Sequence, residues 1–377
     1  MRAVLRALGL LAALGVLAIA LLAVAIAFVE PRAPATLPPQ KSVLDMHAHT
    51  AGLGEGCAGC FVSDDLVASY KFAFYLRAFG TDAQEMAVHG DTITALRLRD
   101  LIRDSRYVER AVLLALDGVI GADGTLDRAA TQVYVPNDYI AGLAAQHDEF
   151  AFGASINPYR EDAIARLERA AADGAVLVKW IPAIMHIDPA DPVLDAFYAR
   201  LAALELPLLV HVGDENAFHD AANQLGDPRR LARPLAAGVR VIAAHVATTG
   251  ENAGEGNFER LLPMFARHPK LYTEESSLTQ VNKLGYLPRA LERPELVARL
   301  MHGSDWPLQF FPLVWAWWQL GRAPLAELRY AALLDNPLDR DIAIKAALGV
   351  PRAVFTRATV LLARPDRRAQ RPDGAGE

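Results

Sequence analysis

The sequence of 377 residues contains only two cysteines, which exclude a fold held together by several disulfides and a zinc site built mainly from thiolates. Whether these two, Cys57 and Cys60, form one disulfide or remain free thiols stays open. The chain also lacks any block of Lys and Arg, and its 44 acidic and 38 basic residues give a net charge of −6. A nucleic-acid-binding protein needs a basic face, so we expect no nucleic-acid partner. The hydrophobic content of 53% is too high for a chain that is mostly disordered.

An apolar run near the N-terminus accounts for part of this hydrophobic content. Residues 7–29 contain no charged side chain. A run of about 23 residues corresponds to roughly 34 Å of helix, enough to cross a bilayer, and predicts a transmembrane helix. Arg2 and Arg6 precede the run, which favours a cytoplasmic N-terminus and a membrane-anchored protein on the extracytoplasmic, periplasmic side. Cleavage by a signal peptidase after the Ala-Ile-Ala at residues 25–27 would instead give a secreted protein.

Composition divides the chain into four predicted parts. The transmembrane segment occupies residues 1–29, and the proline-rich residues 30–41 are predicted to form an extended linker. Residues 42–363 have the composition of a globular domain and contain no tandem repeat. Residues 364–377 have almost no apolar side chains and are predicted to be disordered.

Eight short apolar runs alternate with amphipathic stretches along the globular part. The runs are almost continuously apolar, as in strands that helices cover on both faces. Eight strand–helix repeats in about 300 residues predict an α/β fold, a (β/α)8 barrel of the TIM type, preceded by the transmembrane helix. A doubly wound open sheet is the alternative, but no G-x-G-x-x-G turn follows the first run. The runs cover residues 42–47, 110–116, 150–156, 175–181, 207–212, 239–245, 270–275 and 300–304.

Polar side chains stand at the carboxyl ends of five of these runs. Two histidines in the D-M-H-A-H sequence are two residues apart, so they point to the same side of a strand. Because the carboxyl ends of barrel strands meet at one mouth, we expect the polar side chains of all five runs to converge there. They are His47 and His49 in the first run, Lys179 in the fourth, His211 in the fifth, His245 in the sixth and Asp305 after the eighth.

This combination of side chains predicts a catalytic metal site. Imidazole and carboxylate groups are ligands that zinc and similar divalent cations prefer. Three or four protein ligands leave one position of the cation open, as in catalytic sites. A divalent cation activates water for attack on a carbonyl group, and a neighbouring carboxylate can take the proton that the water gives up.

The same ordered set of residues resembles that of a known superfamily. The D-M-H-A-H sequence, the single strand lysine, the two separate strand-end histidines and the aspartate of G-S-D-W-P are similar to the amidohydrolase superfamily, in its amidohydrolase-related branch. The resemblance extends over residues 43–362, and the ordered set is far more specific than any of its members. It implies a metal-dependent enzyme with one or two divalent ions, zinc above all, and manganese or iron as alternatives.

The resemblance also implies a role for each of these residues. His47 and His49 would bind the first metal together with Asp305, and His211 would bind a metal as well. His245 would bind a second metal or position the substrate. The catalytic residues would then be His245 and Asp305, with Asp305 as the general base that activates the attacking water.

Lys179 has two interpretations. In some relatives a lysine at this place is carboxylated by carbon dioxide and bridges two metal ions, and the spacing from Lys179 to His211 resembles that type. The alternative is an unmodified amine that pairs with a substrate carboxylate or with a neighbouring aspartate. Both interpretations remain open on the sequence alone.

The functional prediction is a metal-dependent hydrolase that acts on an amide, lactone or ester bond. A non-oxidative decarboxylase of the same superfamily is the alternative, because the ligand set does not separate the two. A non-catalytic, membrane-tethered metal-binding protein is disfavoured, since a structural site has no need of a base such as Asp305. The predicted partners are a small-molecule substrate, the membrane through the N-terminal helix, and a second copy of the chain in a homo-oligomer.

Overall fold

The computed structural model describes Val24 and residues 28–363. Its centre is a sheet of eight parallel strands, in which each strand pairs with the next one along the chain. Each strand overlaps the run predicted for it. The strands are β1 (Val43–His49), β2 (Val108–Leu114), β3 (Phe150–Ala154), β4 (Leu177–Trp180), β5 (Leu208–Val210), β6 (Val241–Ala243), β7 (Leu271–Glu274) and β8 (Leu300–Met301).

The sheet closes on itself between β1 and the segment that follows β8. The amide of Met46 donates to the carbonyl of His302 at 3.3 Å, and the amide of Asp305 donates to the carbonyl of His47 at 2.8 Å. Ala48 and Trp306 form a further parallel bridge. These contacts complete a nearly closed barrel and confirm the TIM-type α/β fold that the sequence predicts.

Helices connect most of the strands and cover the outside of the barrel. They are α1 (Asp64–Val67), α2 (Tyr70–Ala78), α3 (Ala83–His89), α4 (Thr92–Asp104), α5 (Asn137–Gln146), α6 (Ala163–Ala172), α7 (Pro182–Met185), α8 (Asp195–Ala203), α9 (Ala232–Ala236), α10 (Asn257–Leu261), α11 (Met264–Arg267), α12 (Tyr286–Leu291), α13 (Pro294–Val297), α14 (Leu325–Ala332), α15 (Pro337–Ala347) and α16 (Arg352–Leu361). The Asn336 side chain caps α15 by accepting from the amides of Leu338 and Asp339, and Pro337 fits the first helical position.

Alternate side chains of each strand face the barrel interior and the surrounding helices. In β4, Leu177 packs inside the barrel with Ile242, whereas Val178 and Trp180 belong to the core between the strands and the helices. Because side chains alternate along a strand, Lys179 faces the interior like Leu177. The strand pattern therefore turns the lysine toward the centre of the barrel.

The long connection between β1 and β2 lies over the carboxyl-terminal face of the barrel. Cys57 and Cys60 form a disulfide within it, which answers the question that the sequence left open. Lys71 in α2 donates to the carbonyl of Asn216, in the loop after β5, at 3.0 Å. The connection therefore extends from the first strand as far as the fifth.

The predicted transmembrane segment lies outside the described residues except for Val24, Phe28 and Val29. Among the residues that the structure describes, no helix is long and apolar enough to cross a membrane. The longest of them, α4, has 13 residues, whereas a crossing needs about 20 apolar residues. This finding contradicts the predicted localisation on the extracytoplasmic side of a membrane, because the described part of the chain supports no membrane anchor.

The proline-rich residues 30–41 lie against the helices at the end of the chain. The guanidinium of Arg352, in α16, donates to the carbonyls of Ala35 and Leu37 at 3.0 and 2.9 Å. The tail predicted to be disordered, residues 364–377, lies outside the described residues.

A buried ion-pair network joins α15 to the segments that follow β7 and β8. The ammonium of Lys345 lies 2.5 Å from Glu275 and 2.7 Å from Asp341, and it donates to the carbonyl of Gly303 at 2.8 Å. Nδ1 of His302 lies 2.8 Å from the other oxygen of Glu275. All four side chains are buried. Because Lys345 holds the carbonyl of Gly303, the network fixes the chain where the barrel closes.

Replacing Lys345 by Met should destabilise the fold, because the carboxylates of Glu275 and Asp341 lose their buried partner. Breaking such a pair costs about 3–5 kcal/mol, and we expect the free energy of unfolding to fall by that amount. Urea denaturation measures it. Lys270→Met is the control, since this exposed lysine only donates to the carbonyl of Gly238, and it should change stability by less than about 0.5 kcal/mol. Equal losses in both variants would contradict the role of the network.

Candidate metal centre

The structure brings the six side chains selected from the sequence to the carboxyl-terminal mouth of the barrel. They form two linked groups, one around His47 and one around His245, whose imidazole rings stack with centroids 5.1 Å apart. The residues and their elements are His47 and His49 at the end of β1, Lys179 in β4, His211 directly after β5, His245 in the turn after β6 and Asp305 after β8.

The Nε2 atom of His47 is the meeting point of the first group. It lies 3.1 Å from Nε2 of His49, 3.1 Å from Nζ of Lys179 and 3.6 Å from Oδ1 of Asp305. Nε2 of His49 lies 3.4 Å from the same oxygen of Asp305. Polar groups from β1, from β4 and from the segment after β8 therefore approach one nitrogen.

A register shift in β1 turns both of its histidines inward. Met46 packs among the apolar side chains inside the barrel, and the pairing of β1 with β2 shifts between Asp45 and Ala48. A shift of one residue exchanges the two faces of a strand. His47 and His49 can therefore face the mouth, although Met46, the residue directly before His47, also faces the interior of the barrel.

A carboxylate at the end of β7 sets the protonation of two imidazoles. Glu274 accepts from Nδ1 of His47 at 3.2 Å and from the hydroxyl of Ser276 at 2.9 Å. That hydroxyl accepts in turn from Nδ1 of His245 at 2.7 Å. Since an ionised carboxylate can only accept, both histidines carry their proton on Nδ1, and their Nε2 atoms are unprotonated.

His211 completes the second group. Its ring lies 5.0 Å from that of His245, measured between centroids, and its Nδ1 lies 3.6 Å from the buried carboxylate of Glu215. Nε2 of His211 is buried and has no hydrogen-bond partner among the described residues. A buried polar atom without a partner is costly, and binding to a metal ion would remove that cost.

The backbone around the site is strained. His245 and Val246 have φ values of 55° and 50°, and Ser277 and Asp305 have φ values of 64° and 65°. Residues other than glycine rarely adopt this left-handed conformation, and a β-branched residue such as Val246 is a clear outlier. Such strain concentrates at functional sites, where the surrounding structure holds it in place.

Asp305 reaches the histidines because Gly303 has no side chain. A Cβ atom at position 303 would lie 2.8 Å from the carboxylate of Glu274 and 2.9 Å from Cβ of His47. The hydroxyl of Ser277 donates to Oδ2 of Asp305, which leaves Oδ1 for the histidines. Burial raises the pKa of Asp305, but the nearby imidazoles lower it by more than burial raises it. The pKa of Asp305 therefore lies well below its usual range. The carboxylate is therefore ionised.

Burial keeps the imidazoles of the site neutral. Burial and the positive charge of Lys179 lower the pKa of His47 to about 4 and that of His211 to about 3. Burial, together with the charge of Lys283, lowers the pKa of His245 well below its usual value. Burial also lowers the pKa of Lys179 to about 8. Neutral imidazole is the form that binds metal ions.

These residues fit a divalent cation. His47, His245 and Asp305 offer ligand atoms that all lie within 4.8 Å of one another. The facing Nε2 atoms of His47 and His49 repel each other unless a proton or a cation lies between them. His49 is therefore a further candidate ligand, and so is His211, whose buried Nε2 has no partner among the described residues. Nitrogen and oxygen donors suit zinc, manganese and iron, so the identity of the metal remains a prediction.

Sequence analysis missed Glu274, Ser276 and Lys283. Glu274 stands at the carboxyl end of β7, so the rule that selected the other strand-end residues could have found it. Its neighbour Glu275 has the same chemistry but pairs with Lys345, and only the structure separates the two. Ser276 and Lys283 lie in the loop after β7, where the sequence carries no signal.

The family of the protein follows from a match over most of its length. The family model described as Amidohydrolase matches residues 44–344, and the chain therefore belongs to the amidohydrolase family. This match confirms the resemblance seen in the ordered histidines, lysine and aspartate. The family consists of metal-dependent enzymes, in agreement with the donor set at the barrel mouth. No curated protein matches the chain.

Solved structures with the same fold share little sequence with this chain. An uncharacterised TIM-barrel protein from Bordetella bronchiseptica has a TM-score of 0.51 at 15% identity, over 85% of this chain and 99% of that chain. A proposed 2-pyrone-4,6-dicarboxylic acid hydrolase from Pseudomonas putida has a TM-score of 0.50 at 15% identity, over 85% and 97% of the two chains. At this identity the likeness shows the fold alone.

Glu274→Gln should weaken metal binding. The amide group of the glutamine would place an N–H donor against the N–H of His47 and the hydroxyl of Ser276. The proton of His47 would then no longer be fixed on Nδ1. Loss of such a supporting carboxylate lowers metal affinity by about 10- to 100-fold. Zinc titration in competition with a chromophoric chelator measures the change. Glu149→Gln, which removes a carboxylate paired with Arg103 just before β3, should bind zinc like the wild type. Unchanged affinity in Glu274→Gln would refute the supporting role.

The stability of the metal-free protein should depend on the neutral state of His211. The pKa of His211 is about 3 in the folded protein and about 6.5 in the unfolded chain. Between these two pH values, only the unfolded chain binds a proton at this histidine. Stability therefore falls as the pH falls. Between about pH 7.5 and pH 5.5 the wild type should lose about 1 kcal/mol more than His211→Gln. Urea denaturation at both pH values measures this difference, and equal losses would contradict the lowered pKa.

Proposed function

We propose that this protein is a metal-dependent hydrolase that uses water to cleave an amide, lactone or ester bond of a small molecule. One observation carries the proposal: His47, His245 and Asp305 present ligand atoms within 4.8 Å of one another at the mouth of the barrel. Zinc, as one or two ions, is the proposed cofactor. A carboxylate placed among metal-binding imidazoles supports a catalytic rather than a structural site, because it can take a proton.

The residues of the site have separate tasks in this proposal. A bound divalent cation would polarise the substrate carbonyl and make water a stronger acid. Nε2 of His47, Nε2 of His245 and the carboxylate of Asp305 would hold that cation. Oδ1 of Asp305 would accept the proton of the attacking water, since Oδ2 already accepts from Ser277. Asp305 would then return the proton to the leaving group.

Exposure indicates the side from which a substrate reaches the site. The side chains of His49 and Asp305 remain 26% and 12% exposed, whereas that of His47 is 1% exposed. His47 therefore lies at the floor of the site, held by Glu274. A substrate that enters from the mouth meets His49 and Asp305 first, next to the oxygen proposed as the base.

The proposal is tested with metal-loaded, full-length protein and a panel of esters, lactones and amides. We expect hydrolysis of at least one of them, and we expect Asp305→Asn to lower turnover by about 10²–10⁴-fold because an amide cannot take the proton. Asparagine tolerates the left-handed backbone at this position, so the variant should fold. Chromatography of the products measures turnover.

The matched control is Asp195→Asn, which removes an exposed carboxylate of α8 paired with Arg233 and should leave turnover unchanged. Near-normal turnover in Asp305→Asn would remove Asp305 from the role of base. Release of carbon dioxide from carboxylated members of the panel, without hydrolysis of any member, would contradict the hydrolase and favour the decarboxylase.

Lys179→Ala distinguishes the two roles considered for Lys179. The ligand atoms of His47, His245 and Asp305 meet without the lysine, so we expect the variant to keep the metal content of the wild type and to lose mainly substrate affinity. Inductively coupled plasma mass spectrometry counts the ions. Loss of one of two ions, with partial recovery of activity by added short carboxylates, would instead establish a carboxylated lysine that bridges two metals.

A further inference from the structure

Lys283 lies in the loop after β7, at the mouth of the barrel. It ends a 3-10 turn, and its amide donates to the carbonyl of Gln280 at 3.0 Å. The side chain of Gln280 donates to the hydroxyl of Ser277 at 3.2 Å, and that hydroxyl donates to Asp305. A short chain of hydrogen bonds therefore ties the backbone of Lys283 to the candidate metal centre.

The ammonium of Lys283 has no direct partner among the described residues, although the residue is largely buried. It is 9% exposed, and among the described residues its ammonium makes neither a hydrogen bond nor an ion pair. The other two buried lysines differ: Lys179 contacts His47, and Lys345 pairs with Glu275. Unlike Nε2 of His211, the side-chain nitrogen of Lys283 is not fully enclosed, so an anion that enters the mouth can reach it.

The charge of Lys283 acts on the residues of the metal centre. Burial lowers the pKa of Lys283, and the negative charges of Asp305 and Glu215 oppose this effect. After burial, the positive charge of Lys283 is the largest influence that lowers the pKa of His245, and it also lowers that of His211. The charge of Lys283 therefore reaches the histidines that follow β5 and β6.

The balance of charge at the mouth favours an anionic ligand. Lys179 and Lys283 bring two positive charges, against the carboxylates of Asp305, Glu215 and Glu274. A divalent cation would make positive charge the majority. A cleft of one net sign with low-dielectric walls concentrates ligands of the opposite sign.

We propose that Lys283 is a specificity-determining residue that binds a carboxylate group of the substrate. The nature of the bond cleaved rests on the proposed function, whereas the recognition of the carboxylate does not. A carboxylate supplies both the acceptor and the negative charge that the ammonium lacks, and such charge-assisted hydrogen bonds are among the strongest in proteins. The substrate class is then a carboxylic acid that carries the hydrolysable bond elsewhere in the molecule.

The experiment measures the binding of matched acids and amides to zinc-loaded, full-length protein by calorimetry. The probe pairs are acetate with acetamide, succinamate with succinamide, and benzoate with benzamide, each differing by one carboxylate. The wild type should bind the acid of at least one pair about 10- to 100-fold more tightly than the amide. Lys283→Met should reduce this preference to within about threefold, and Lys283→Arg should retain most of it.

Two controls separate recognition from a structural effect. Lys71→Met removes a half-buried lysine near the mouth that already donates to the carbonyl of Asn216, and it should keep the full preference for the acid. Zinc content and the midpoint of thermal unfolding should be equal in all variants. A preference that persists in Lys283→Met, or that no probe pair shows in the wild type, would overturn the proposal.

Hydrolysis of p-nitrophenyl acetate, a neutral ester, separates this inference from the proposed function. The proposed function predicts that the wild type hydrolyses it whether or not Lys283 binds carboxylates, because this ester offers no carboxylate to the lysine. If the wild type prefers acids but hydrolyses no ester, lactone or amide, the proposed function fails and the role of Lys283 stands. If hydrolysis occurs and no preference for acids is found, the role of Lys283 fails alone.

Discussion

The pairing of β1 with the segment after β8 is the contact on which the rest of this structure depends. The hydrogen bond from the amide of Asp305 to the carbonyl of His47 closes the barrel, and it also sets a carboxylate beside two imidazoles. The amide of Ser304 donates to the buried carboxylate of Asp45 at 2.8 Å, which holds the same segment from the other side. Closure of the fold and assembly of the candidate metal centre are thus one structural event.

Two consecutive glutamates have different roles in this closure of the barrel. Glu274 accepts from His47 and Ser276 and faces the mouth, whereas Glu275 pairs with Lys345 and holds the chain after β8 from outside. Successive side chains of a strand point to opposite faces, so neighbouring residues of identical chemistry serve the site and its support separately. Because every group in both networks is buried, the loss of one partner leaves an unpaired charge, which makes the geometry rigid.

Electrostatics set this mouth apart from the apolar interior below it. Burial suppresses the charge of the imidazoles, while Asp305 and Glu274 remain ionised, so the histidines are ready to bind a cation. Lys283 adds a positive charge that no carboxylate of the described chain neutralises by direct contact. The family assignment defines the class of chemistry, and in our proposal the charges around a bound cation would select among its substrates.

The sequence by itself determined the barrel, the family and the strand-end positions of six polar side chains, because apolar periodicity and residue order are local properties. Hydropathy over residues 7–29 predicted a membrane anchor, whereas no helix among the described residues is long and apolar enough to cross a membrane. Only the tertiary structure decided that Glu274 rather than Glu275 orients His47, and that the ammonium of Lys283 has no direct partner within the described chain. These facts depend on which distant segments meet when the barrel closes, and pairing between segments far apart in the chain leaves no local pattern to read.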